Sequence, residues 1–205
     1  MFVERADLQR LMDGLVEFFE HHGFRLELEK PVDVFERISF CQTQPVLVSG
    51  EWRMLRHPET TVQKGSMCTL RTPNQKVLRK WCMAVGRCEG ALNVGVPVLQ
   101  AWAQSMRRVG LKASLKFQRS VWHGTTRGYW YVGREAAVTA VEADTRVSFF
   151  KAFGITPEEQ VALEGCYGMY EMGELGPVVD SEHCMLDKMP VPRNFATLTL
   201  AGRTC

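Results

Sequence analysis

Apolar–polar alternation with a period of two is confined to one stretch of this chain, residues 24 to 55, so the fold must have few strands and many helices. Before that stretch, Arg5 to His22 carries Leu8, Leu11, Met12, Leu15, Val16, Phe18 and Phe19 at three-to-four-residue spacing, the pattern of an amphipathic helix, and Gly23 closes it. Inside it, Phe24-Arg25-Leu26-Glu27-Leu28 predicts a half-buried strand ended by Pro31, and Phe35 to Phe40 predicts a second. Val46-Leu47-Val48 and Trp52-Arg53-Met54-Leu55 flank Ser49-Gly50 and predict a hairpin. Past Pro58 the period lengthens. Thr72-Pro73-Asn74 opens a helix through about Val85, and Leu99, Trp102, Met106 and Val109 mark another from Val98 to Val109. Thr156-Pro157-Glu158-Glu159 combines a capping residue, proline at the first helical position and acids in the first turn, which predicts a helix over Pro157 to Gly165. The aromatic and Gly-rich residues 120 to 134 read as a long loop, and those beyond Gly173 as an irregular tail. The fold class expected is α+β.

At 205 residues and 45% apolar composition the chain can bury one core or two small ones. It has no run of 18 apolar residues, and its first residues meet Glu4 before any signal-type apolar segment, so neither a membrane span nor a secretory leader is expected. Seven cysteines, Cys41, Cys68, Cys82, Cys88, Cys166, Cys184 and Cys205, include no C-x-x-C pair and propose neither a disulfide framework nor a zinc knuckle. His21, His22, His57, His123 and His183 show no ligand spacing, and no metal site is expected. The net charge of +2 hides an asymmetry. Residues 53 to 127 hold 14 Lys and Arg against only Glu59 and Glu89, while each flank is net acidic by five charges. A basic middle third in a nearly neutral chain suits a polyanion partner, with a solvated charged face as the plain alternative.

Several segments, in one order along the chain, resemble the RNA-directed RNA polymerases of tombusvirus-like positive-strand RNA viruses. Glu36-Arg37-Ile38-Ser39-Phe40-Cys41-Gln42-Thr43-Gln44-Pro45-Val46 resembles motif E, the strand-turn-strand element joining palm and thumb, and the helix ending at Gly23 with Lys30-Pro31-Val32 resembles motif D. Arg53 to Lys64 resembles the basic strand and turn that follow motif E, there and more distantly in hepatitis C-type enzymes. Leu92-Asn93-Val94-Gly95-Val96-Pro97-Val98-Leu99-Gln100 and Phe153-Gly154-Ile155-Thr156-Pro157-Glu158-Glu159-Gln160 resemble thumb segments, so the resemblance reaches about residue 167. It implies a distal palm over residues 1 to 45 and a mainly helical thumb over 46 to 205. The sequence departs from the family in one respect: it contains no Asp-Asp pair. The Gly-Asp-Asp turn, the fingers and the rest of the palm core are expected upstream of Met1, whose segment reads as the strand leaving that turn. Carboxylates there hold the two divalent ions, about 3.5–4 Å apart, that nucleotidyl transfer needs. The resemblance therefore implies Mg²⁺ or Mn²⁺ in the full-length enzyme, no cofactor in this fragment, and a fragment inert by itself.

For site residues, the resemblance implies Lys30 as a motif D general acid protonating the departing pyrophosphate, a role worth about 10²–10⁴-fold in rate, against the alternative of an ordinary exposed lysine. Phe40, Cys41, Gln42, Thr43 and Gln44 form the tight loop that supports the primer end. Arg53, Arg56 and Lys64 contact the initiating nucleotide or nascent strand, where an arginine fork suits phosphate, or else line a solvated hairpin face. Arg79, Lys80 and Arg87 on one helix, and Arg107, Arg108, Lys112, Lys116 and Arg119 at the end of another, are candidate cations of the RNA channel, reading backbone rather than sequence. Trp122, Tyr129, Trp130 and Tyr131 either stack bases or pin their loop to the core. The partners expected are viral RNA template, nascent strand, NTPs and the rest of the polymerase, in host cytoplasm at membrane-associated replication complexes. A free-standing RNA-binding replication-accessory protein, or a plain helical interaction module, is the rival reading.

Overall fold

The computed structural model describes residues 4–68, 70, 74–121 and 137–169, together with the backbone of 199–200 and 203–204. The chain forms two compact units, Met1–Asp33 and Val34–Cys205. In the first, a 3-10 turn over Arg5–Asp7 runs into helix α1, Leu8–His21. Gly23 stops it by taking φ +76°, a left-handed conformation that costs glycine little. The Gly23 N–H then donates to Glu20 O (3.0 Å), the Phe24 N–H donates to Phe19 O (2.9 Å), and the Phe19 and Phe24 rings meet edge to face at 6.5 Å. This is a Schellman stop with its apolar contact. The strand predicted at Phe24 to Leu28 is not formed, and residues 24–33 carry no helix or strand. Alternation becomes a strand only beside a hydrogen-bonding neighbour, and this unit supplies none among its described residues.

The second unit brings another correction. Phe35–Arg37 is a 3-10 turn instead of the start of a strand. That turn buries Glu36, whose Oε1 accepts from Ser148 Oγ (3.2 Å) and lies 3.5 Å from Lys151 Nζ. Strands β1, Thr43–Val48, and β2, Glu51–Arg56, pair antiparallel from Thr43 opposite Arg56 to Val48 opposite Glu51, as the sequence predicts. Their turn at Ser49-Gly50 has both residues at positive φ, which matches the twist of a two-residue hairpin.

Among the described residues six helices follow: α2, Pro58–Gly65; α3, Gln75–Leu92; α4, Leu99–Val109; α5, Leu115–Val121; α6, Ala143–Phe153; and α7, Pro157–Gly168. Asn74 caps α3 by accepting the Val77 N–H at 2.9 Å, and α7 opens with the full capping box, Glu159 N–H to Thr156 Oγ1 and Thr156 N–H to Glu159 Oε2. Helix α3 runs past the expected end at Val85 because Gly86 is no stop. A Cβ there would lie 2.7 Å from Ala103 O and from Arg107 N, so the glycine lets α4 pack directly on α3. Gly110 does the same one turn on, with Met83 Cα 2.8 Å from its would-be Cβ, and Gly65 of α2 seats against the Trp102 ring. The core that results joins Val46, Val48 and Leu55 of the hairpin to Trp81, Trp102, Met106, Phe149, Leu163 and Tyr167.

Helices α5 and α6 have no counterpart among the sequence expectations. The stripe that α6 buries is Thr145, Ser148, Phe149 and Ala152, mostly small or polar. It closes the outer edge of β1: the Leu47 N–H donates to Ser148 Oγ (2.9 Å), the Ser49 N–H to Thr145 Oγ1 (3.3 Å), and Gln44 Nε2 to Ala152 O (3.0 Å). The predicted loop over 120–134 and the tail beyond Gly173 fall almost wholly outside the described residues. Among the described residues no helix is long and apolar enough to cross a membrane.

The packing at Gly86 has a direct consequence. Gly86→Ala should lower Tm by about 3–10 °C, since a methyl group forced against main chain is over-packing. Gly165→Ala, on α7 with open space around the new methyl, should raise Tm slightly through helix propensity alone. Calorimetric melting of both variants checks the pair of opposite signs.

Candidate nucleic-acid interface

The hairpin's leading turn is built without glycine. Phe40 and Thr43 exchange N–H···O bonds of 2.9 Å around Cys41 (φ +51°) and Gln42 (φ +62°). Two non-glycine residues in the left-handed region carry a steric cost that the surrounding bonds must hold, and Thr43 Oγ1 adds a 2.6 Å bond to Phe40 O. Phe40, Cys41 and Gln42 are exposed at this tip. Thr43 and Gln44 are half-buried, and the Gln44 amide faces inward to Ala152 O and Glu36 O. Trp52 and Met54 alternate outward on β2, and Phe35 meets Trp52 edge to face at 4.6 Å with both rings about half exposed. Sequence reasoning passed over this aromatic pair. The alternation of Trp52 and Met54 against Arg53 and Leu55 was the signal available for it.

The cations sort by what their heads already hold. The Arg53 guanidinium donates to Leu92 O and to Val94 O (2.8 Å), closing the C-terminal end of α3. Arg79 Nε donates to Val109 O (2.9 Å) at the end of α4, and Arg108 Nη2 donates to Tyr167 O (3.0 Å) at the end of α7. A cation at a helix C-terminus meets unpaired carbonyls and the negative end of the dipole, worth about 0.3–1 kcal/mol and up to about 2 when partly buried. Three cations of the predicted set therefore do internal structural work.

Most of the set also falls into two groups by place. The Leu111 N–H donates to Arg79 O (2.9 Å), which lays the corner after α4 along the first half of α3. The segments that carry Arg79 and Lys80, and Arg107 and Lys112, come together there, and α5, which carries Lys116 and Arg119, packs on α3. Lys112, Lys116 and Arg119 are exposed; Lys80 and Arg107 are half-buried, Arg107 with its stem against Gly86. Arg53 belongs to the other end of α3, about 20 Å along its axis from Arg79 at 1.5 Å per residue, and Arg56 follows it on β2. Arg56 is half-buried, and its Nε has no acceptor among the described residues. Lys64 is exposed on α2, and Arg87 sits half-buried in mid-α3. Lys30 is exposed in the first unit, on the arm after α1. Trp122, Tyr129, Trp130, Tyr131, His123 and His183 lie outside the described residues.

The thiols offer no nucleophile in the core. Burial pushes the Cys82 thiol up to about 12, with the neighbouring Cys68 adding to the rise, and burial likewise raises Cys68. Among the described residues no three His, Cys, Asp or Glu side chains converge on a point, so they do not fit a divalent ion.

A sequence profile described as Viral RNA dependent RNA polymerase matches residues 1–174. The RNA-directed RNA polymerase of Tobacco necrosis virus (strain A) is 36% identical over 181 residues, covering 87% of this chain and 24% of that protein. The RNA-directed RNA polymerase of Carnation ringspot virus (isolate Lommel) is 34% identical over 86% of this chain and 23% of its own length, and that of Red clover necrotic mosaic virus 32% over 84% and 23%. No solved structure matches. The chain spans about a quarter of the length of these relatives. Matched along most of its length, it belongs to the viral RNA-dependent RNA polymerase family.

Proposed function

We propose that this chain is the distal palm, residues 1 to about 45, and the thumb, from about 46, of an RNA-directed RNA polymerase that copies a positive-strand viral genome from NTPs. The observation that carries the reading is the exposed basic corner where α3, α4 and α5 meet, in a chain of this family. Lys112, Lys116 and Arg119 would follow the phosphates of template or nascent RNA, and Arg107 and Lys80 would supply field from half-buried positions. The tip Phe40 to Gln42 would support the 3′ end of the growing strand, its strained turn fixing where those side chains stand. Arg56, with its unpaired Nε, is the cation of β2 best suited to a triphosphate, whereas Arg53 is occupied at the end of α3. The divalent ions of the reaction would sit on carboxylates outside this chain, and Lys30 would act there as general acid toward pyrophosphate.

Three outcomes test this. Purified alone, the chain should incorporate no labelled nucleotide above background. It should bind single-stranded RNA irrespective of sequence, with log K falling by about 0.7 per contacted phosphate for each decade of salt. Lys116→Glu with Arg119→Glu should weaken that binding and flatten the slope, while Arg53→Ala should lower Tm and leave the slope alone; anisotropy titrations at several salt concentrations read both. In a full-length polymerase carrying this segment, Lys30→Ala should slow every nucleotide addition, and Arg56→Ala should raise the NTP concentration needed for initiation with elongation near normal. Single-nucleotide addition on a stalled complex separates them.

A further inference from the structure

The connector between α3 and α4 is unusual for a loop because it is buried: Asn93, and every residue from Gly95 to Gln100, lies below the surface. Its polar groups are met by side chains from elsewhere in the fold. Arg53 holds Leu92 O and Val94 O, and Gln100 Oε1 accepts the Gly95 N–H (2.8 Å) while its Nε2 donates to Thr139 O (2.8 Å). At its end stands Val98, at φ +64° and ψ −55°, fully buried. A β-branched residue at positive φ is a genuine outlier, and this one is the centre of a strained γ-turn closed by the Leu99 N–H on Pro97 O (2.6 Å).

What holds Val98 there comes from the two helices at the other end of the chain. The Val98 N–H donates to Glu164 Oε1 of α7 (3.0 Å). Arg146 of α6 grips that carboxylate with a two-pronged fork, Nη1 to Oε1 at 3.0 Å and Nη2 to Oε2 at 2.8 Å. Gln160, fully buried, braces the fork by donating to Arg146 O (3.0 Å) and Ile155 O (2.8 Å). Strain of this kind persists only where surroundings over-determine it.

We infer that Val98, Glu164 and Arg146 form a latch joining the α6–α7 pair to the start of α4. Engaged, the carboxylate holds the turn strained and ties the helices that edge the hairpin to the half of the unit that carries the basic corner. Released, Val98 returns to negative φ, the Leu99 N–H leaves Pro97 O, and the two halves lose this tie while the hydrophobic core stays closed. Glu164 is a positioning residue here. The inference does not rest on the polymerase reading.

Hydrogen exchange of the full chain, resolved to short peptides, tests it alongside melting. Glu164→Ala and Arg146→Ala should each speed exchange over residues 96–102 by about tenfold to a hundredfold, the range expected from losing a hydrogen bond to a charged group. Exchange over Gln75–Leu92 and over the β1–β2 hairpin should stay as in the parent. Glu164→Gln, which keeps an acceptor for Val98 but loses the ionic fork, should fall between parent and alanine variant. It also serves as the deciding variant if the alanine protein does not fold. Unchanged exchange over 96–102 would overturn the latch. So would acceleration spread evenly over the whole chain, which would make the pair an ordinary contributor to global stability.

Discussion

The direct approach of α3 to α4 through Gly86 and Gly110 is the constraint on which the second unit turns. With side chains at those positions the two helices would stand off by the width of a methyl group or more, and main chain now in contact would separate. Because they touch, a connector of only six residues, Asn93 to Val98, reverses the chain. That reversal brings the C-terminal end of α4 back beside the first half of α3. The basic corner is therefore a product of helix packing. Arg79 and Lys80 are distant in sequence from Arg107 and Lys112, and the segments that carry them come together because two glycines let the helices touch. The short reversal also leaves the connector no way out to the surface, so its polar groups are met from inside by Arg53, Gln100 and Glu164.

Buried main chain needs donors as much as apolar cover, and arginine supplies them here. Arg53, Arg79 and Arg108 each close the C-terminal end of a different helix. Each guanidinium satisfies carbonyls that the helix itself leaves orphaned. A chain counted as strongly basic in its middle third thus has part of that charge spent internally, and among its described residues the exposed cations not spent on a helix end are Lys64, Lys76, Lys112 and Lys116, with Arg119. Lysine is a point charge on a flexible stem, suited to following a phosphate backbone without reading geometry.

How much of this was legible in the sequence depends on which physical signal each element uses. The β1–β2 hairpin, α1 with its glycine stop, and the capping box of α7 were legible because their determinants are local: two-residue periodicity around Ser49-Gly50, Gly23 after an apolar stripe, and Thr156-Pro157-Glu158-Glu159. Helix α6 was not, because its inward stripe sets the hydroxyls of Thr145 and Ser148 against the edge of β1 beside Phe149 and Ala152, while Val147 and Phe150 are exposed. A periodicity search looks for apolar faces and finds the wrong one. The strand expected at Phe24 to Leu28 failed for the converse reason: its alternation is real and its partner is missing from the unit. At the candidate site, charge pointed to a segment of chain but gave no way to tell a guanidinium spent on a carbonyl from one left exposed, since both look alike until the helix ends are placed.

The two groups of cations also differ in what they ask of a ligand. Arg56 at the hairpin, beside the strained tip at Cys41-Gln42, sits in a place fixed by hydrogen bonds on both strands, and a phosphate met there would be held in one position. Lys112 of the basic corner stands just past the end of α4 and Lys116 on the short α5, both exposed, and they would hold an RNA backbone without fixing its register. On the polymerase reading proposed above, a strand that advances one nucleotide at a time would use both behaviours, a fixed point where its end is presented and a loose grip further along that lets it slide. The end of α3 that Arg53 holds and the turn of α3 that carries Arg79 are about 20 Å apart along the helix axis. Rigid α3, packed directly on α4, keeps that separation constant, which a loop carrying the same charges could not do.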